Sequence, residues 1–166
     1  DDPLDTAILT CTGSEANDIA LRMAEGMTGK RGIIATDATY HGNTTLVSHL
    51  SRNNVPEVGF GLGAYLRHVE APDSYRIHDP KGERFAAHVQ AAVDDLEASG
   101  IGFAALIVCP LFLNEGFPMQ DEGWLKPASN DRKRSKSPRN PTEMIGKPAM
   151  FAPHSRAACL WNMCGQ

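Results

Sequence analysis

Apolar positions in this chain follow two rhythms: short unbroken runs, and runs spaced three or four apart. The unbroken runs cover 7–11 (A-I-L-T-C) and 103–109 (F-A-A-L-I-V-C) and read as buried strands, while 31–36 (R-G-I-I-A-T) and a short stretch near 65–69 also read as strands. Between them lie stretches of helical period. Ala16, Ile19, Ala20, Met23 and Met27 share one face, preceded by Thr12 as a cap. Glu15, three positions after Thr12, completes a capping box, and Gly29 stands where a C-terminal cap belongs. A second, shorter helix is expected over 43–50. A third is expected over 83–99, where Phe85, Val89, Ala92, Val93 and Leu96 line one side and Gly100 and Gly102 end it. Residues 51–64, rich in Asn, Gly and Pro, read as a loop, and Pro110 stops the last strand. Strand and amphipathic helix in alternation predict an α/β fold with a mainly parallel sheet and flanking helices. Beyond residue 127 no apolar period survives, so 1–127 is expected to be the folded part and 128–166 an irregular or disordered basic tail.

Composition agrees with that division. The chain has 166 residues, 42% apolar and 22% charged, which suits one soluble globular domain. The net charge of −4 hides two segments: 128–166 holds seven Lys or Arg against two Asp or Glu, and 1–127 holds nine against 18. No run of about 18 apolar residues exists, so a spanning helix is not expected. The acidic start, Asp1-Asp2-Pro3, has no signal-peptide core and no initiator methionine, so the chain reads as beginning mid-domain in a cytoplasmic protein. Cys11 and Cys109 sit in apolar runs as small buried hydrophobes, and Cys159 and Cys164 have no histidine pair beside them; no metal site is expected. Arg132, Lys133, Arg134, Lys136 and Arg139 could neutralise nucleic-acid phosphates, but no aromatic is interleaved for stacking. The tail is read as solvated, with no nucleic-acid and no membrane partner.

Two motifs carry chemistry. The first is T-C-T-G-S-E-A-N-D, Thr10 to Asp18, at a strand-to-helix junction. A helix starts with backbone N–H groups that have no partner inside it, and the macrodipole adds positive charge there. Gly13 removes a Cβ obstacle and Ser14 adds a hydroxyl, so a phosphate could approach those donors. The lysine of a Walker A loop is absent. The second is Tyr40-His41-Gly42, just past the second expected strand. An aromatic there can stack on a planar ring, and ligands of open α/β sheets sit at those strand ends.

In order and spacing, Gly13-Ser14-Glu15-Ala16-Asn17 followed by Tyr40-His41-Gly42 resembles the cofactor domain of the class III, pyridoxal-phosphate-dependent aminotransferases of fold type I. The resemblance implies a partial large domain of that fold. It implies that Gly13 and Ser14 bind the phosphate of pyridoxal 5'-phosphate and that Tyr40 stacks on its ring, with His41 and Gly42 beside it. It also implies a homodimer acting on a small-molecule amino donor and a keto acid. Ala104 to Pro118 continues the likeness with one departure: the strand that ends in an acid and a proline in the family ends here in Cys109, which cannot supply a fixed negative charge. Glu115 is a substitute candidate in the loop that follows. The family's A-D-E-[VI]-Q segment, whose aspartate keeps the pyridine nitrogen protonated, does not appear, nor does a lysine in the context of the one that links to the cofactor. No catalytic residue is therefore assigned. The chain is read as a fragment inactive by itself, the alternative being a non-catalytic domain that binds pyridoxal phosphate or another phosphate ligand.

Overall fold

In a computed structural model, residues 8–51, 63–79, 81–109 and 111–130 are described. Within them the chain runs α1 (Gly13–Thr28), β1 (Gly32–Thr36), α2 (Thr45–Ser48), β2 (Leu66–Val69), α3 (Glu83–Ala98), β3 (Phe103–Ile107) and α4 (Lys126–Asn130). The three strands pair in parallel in the order β2-β1-β3. Each is joined to the next through a crossover, as parallel pairing demands. Ile33 lies opposite Leu66 on one side and Ala105 on the other, and the register with β3 shifts between Gly32 and Ile33.

Alternation along the strands builds two cores. Ile33 and Ala35 of β1, with Ala105 and Ile107 of β3, face Leu21 and Ala24 of α1 and Val47 of α2. Ile34 and Leu106 point the other way, onto Phe85, Val89 and Leu96 of α3. Side chains two apart share a face, so a five-residue strand buried throughout serves both layers. Trp124 closes the second layer: its ring centroid lies 5.2 Å from that of Phe85 and 5.4 Å from that of Phe112. Phe112, fully buried, thereby anchors the loop after β3 against α3.

Local chemistry sets the helix ends. Thr12 caps α1 by accepting from the Glu15 amide, and the Glu15 carboxylate accepts from the Thr12 amide, which is the expected capping box. Gly29 closes α1 in the left-handed conformation at φ 66°. At the end of α3, Gly100 and Gly102 both adopt positive φ.

Four expectations change. Residues 8–11 form no strand, and Leu9 is 94% exposed: among the described residues no strand pairs with them and no layer covers them, so an apolar run alone makes no sheet. Cys11 is exposed with them and Cys109 only half-buried, so neither is the buried hydrophobe expected. The helix expected over 43–50 is a single turn, α2. And α4 runs across the expected boundary at residue 127; the rest of the tail, from 131 on, lies outside the described residues, as does most of the expected 51–64 loop.

Candidate cofactor site

The site is built at the start of α1, where the capping box decides which donors stay free. The Thr12 and Glu15 amides are used by the box, and the Cys11 amide also donates to the Glu15 carboxylate, at 2.8 Å. The Ala16 amide donates to the Thr12 carbonyl. That leaves the amides of Gly13 and Ser14 with no acceptor among the described residues. Ser14 Oγ accepts from the Asn43 amide at 3.0 Å, so the hydroxyl proton remains available to a ligand. Two amides and one hydroxyl at a helix N-terminus make a small anion cradle.

The turn after β1 lies directly against it. Gly42 has φ 138°, and a Cβ there would stand 2.5 Å from Ser14 Oγ and 2.8 Å from Ser14 Cα. Only glycine accommodates both that conformation and that approach. Asn17, buried in the second turn of α1, donates from Nδ2 to the His41 carbonyl at 2.7 Å, and Thr44 Oγ1 donates to Asp18 Oδ1 at 3.1 Å. Tyr40, the residue before this junction, is 37% exposed. The structure thus joins Gly13 and Ser14 to the 40–42 turn.

His41 takes a different place from its neighbour. Its ring is buried at 3% exposure, with Nε2 3.1 Å from Thr39 Oγ1, and its own amide donates to Ser51 Oγ. Burial first, and then electrostatic interaction with His68, push its pKa down to about 4, so the ring is neutral at physiological pH. What His41 offers the junction is its backbone carbonyl.

A second polar group sits at the C-terminal end of β1. Thr36 Oγ1 donates to Glu115 Oε1 at 3.3 Å, while Oε2 is buried without a well-formed hydrogen bond among the described residues. Burial raises the Glu115 carboxyl above the ordinary carboxylate range. Hydrogen bonds from the Glu115 and Asn114 amides and the Thr36 and Thr39 hydroxyls oppose the shift without cancelling it. Glu115 is therefore no solvated loop acid, and through Thr36 it reaches the C-terminal end of β1. Thr36 and Thr44 had no sequence signal of their own, and Asn17 and Asp18, though inside the first motif, had no role assigned, because each bonds a partner distant in the chain. Among the described residues no group of three or more His, Cys, Asp or Glu could hold a metal ion, and no helix is long and apolar enough to cross a membrane.

Free amides and a hydroxyl can meet an anion, and Tyr40 stands two residues before Gly42 on the turn that packs against Ser14. No family profile matches the chain, but known proteins resemble it in sequence and in fold. The 4-aminobutyrate aminotransferase of Mycobacterium tuberculosis is 30% identical over 128 residues, covering 72% of this chain and 28% of the relative. A phospholyase from Arthrobacter, solved in complex with phosphoethanolamine, superposes with TM-score 0.69 at 31% identity, over 88% of this chain and 33% of that one. An omega transaminase from Pseudomonas jessenii in complex with PMP superposes with TM-score 0.58 at 27% identity, over 75% and 30%. The chain thus spans about a third or less of the length of these relatives. Sequence and fold agree in supporting a partial class III pyridoxal-phosphate-dependent aminotransferase, with part of the large domain of that fold.

Proposed function

We propose that this chain is the phosphate-and-ring half of a pyridoxal phosphate site. The enzyme type it belongs to moves an amino group between an amino acid or amine and a keto acid, as a cytoplasmic homodimer. The observation that carries the reading is the pair of free amides, Gly13 and Ser14, with the Ser14 hydroxyl beside them and Tyr40 across the junction. Gly13 and Ser14 hold the phosphate. Tyr40 covers the ring, Gly42 lets the turn approach, and His41 fixes that turn by its buried ring and carbonyl. When bound, pyridoxal phosphate supplies an electron sink for bond breaking at an amino-bearing carbon. The residues described here bind and orient; Cys109, in the position of the family acid, adds no fixed charge. The chain by itself is therefore proposed to bind the cofactor without turning over.

Titrating the purified 166-residue chain with pyridoxal phosphate, followed by absorbance and tyrosine fluorescence, tests this reading. Saturable binding competed by inorganic phosphate is expected. Gly13→Asp, which sets a carboxylate among the anion donors, should weaken binding by at least about tenfold, or about 1.4 kcal/mol. Borohydride treatment should leave the cofactor dialysable, since no linking lysine is expected. Binding that Gly13→Asp leaves unchanged, or that phosphate does not displace, would place the ligand elsewhere and end the reading.

A further inference from the structure

Three hydrogen bonds tie one stripe of α1 to the turn that carries Tyr40. From Ser14, Asn17 and Asp18, spaced as successive neighbours on a helix face, they reach Asn43, His41 and Thr44 in turn. Gly42 sits among them with its backbone against Ser14. The three bonds are not equivalent. Those of Asn43 and Thr44 lie at exposed or half-buried positions, where water can replace a lost partner. The Asn17 bond is buried, at 2.7 Å, and Asn17 itself is 7% exposed.

Asn17 is also out of place by composition. Asparagine is a mediocre helix former, and α1 buries it in the same stripe as Leu21 and Ala24. A buried amide there needs a partner, and the one it finds is a main-chain carbonyl rather than a side chain. A bond to the backbone of His41 holds the position of the turn whatever the neighbouring side chains do. The cradle donors sit three and four residues before Asn17 on α1, and the aromatic sits one residue before the carbonyl.

We propose that Asn17 is a positioning residue that sets the separation and angle between the anion cradle of α1 and the Tyr40 ring. This rests on the cofactor reading above for its ligand, but not for its geometry. The Asn17 side-chain amide bonds the His41 carbonyl, and its effect on the ring runs through that carbonyl. Removing its donor leaves the cradle, which belongs to α1 alone, and frees the aromatic to drift. A ligand that needs only the cradle should hardly notice; a ligand that needs cradle and ring together should.

The test uses the full 166-residue chain with Asn17→Asp, which keeps the shape and removes the donor, and Thr44→Val, which removes an outer strap without burying a charge. Three quantities are read: amide hydrogen exchange over residues 41–44, affinity for inorganic phosphate, and affinity with induced circular dichroism for pyridoxal phosphate. For Asn17→Asp, exchange should rise by at least about tenfold at a melting temperature that still shows a folded chain. Phosphate affinity should stay within about threefold, while pyridoxal phosphate affinity falls by about tenfold and the induced dichroism disappears. Thr44→Val should move exchange and dichroism the same way by less. The proposal is overturned if exchange over 41–44 is unchanged in both variants, or if phosphate and cofactor affinity fall by the same factor, which is what general loosening would do. If the parent chain binds no pyridoxal phosphate, the cofactor reading is what fails, and the exchange measurement alone decides the role of Asn17.

Discussion

Burial holds the His41 ring neutral at 3% exposure, and this gives the fold a pH dependence that can be traced to one side chain. The folded pKa of about 4 lies below the ordinary 6.5, so between those values the unfolded chain takes up a proton that the folded chain refuses. The contribution of His41 is complete above about pH 6.5. It falls by about 3 kcal/mol as the pH drops toward 4, where both states are protonated. Glu115 works in the opposite sense. Its raised pKa means that the folded state keeps a proton longer, so its contribution is full below the ordinary carboxylate value of 4.5 and is lost as the pH rises through the folded value. The net slope mixes the two. Urea unfolding from pH 4.5 to 7 should therefore show a gain with pH that His41→Gln flattens; equal slopes in the two chains would mean that the ring titrates normally. At this scale Gly13, Ser14, Tyr40 and Gly42 could be picked from the sequence, because turn and stacking chemistry is local. The buried state of His41 and the orphaned oxygen of Glu115 could not, since each depends on neighbours brought from elsewhere in the chain.

Elements with local signals formed where the sequence put them. The α1 capping box, the Gly29 cap, α3 and all three described strands lie within a few residues of their expected bounds. Most are specified by neighbours within one turn or by an apolar run between breakers; β2, with Arg67 and His68 inside it, carries the weakest such signal. The run at 8–11 failed because a strand needs a partner edge as well as apolar side chains, and none of the described strands offers it one. The capping box does two things at once: it starts α1, and it consumes the Thr12 and Glu15 amides while those of Gly13 and Ser14 keep no acceptor among the described residues. Thr12→Ala should cost about 1 kcal/mol, read as a fall of about 3 °C in melting temperature. It also frees the Glu15 amide as a third donor, so phosphate binding should not weaken in proportion to the lost stability. A parallel loss of both would show that the cradle depends on helix stability alone.

Among the described residues of the molecule, the three-stranded sheet has β2 and β3 as its edges, and Ile8, Leu9, Phe117 and Met119 are exposed apolar side chains. Parallel strands with open edges and uncovered apolar surface favour association between chains. Light scattering should report concentration-dependent mass above that of one chain. A cooperative monomer across the accessible concentrations would contradict this. The sequence by itself determined the α/β class, the order of helices and strands, the capping box and the two motifs, because all of these are written in periodicity and in contacts a few residues apart. Only the tertiary structure decided that Gly13, Ser14 and the 40–42 turn form one junction, that the Asn17 amide bonds the His41 carbonyl across it, and that Glu115 brings a carboxyl to Thr36 at the end of β1. Those facts join residues 24 to 79 positions apart, and such pairs exist only after the strands have set their register and both layers have packed.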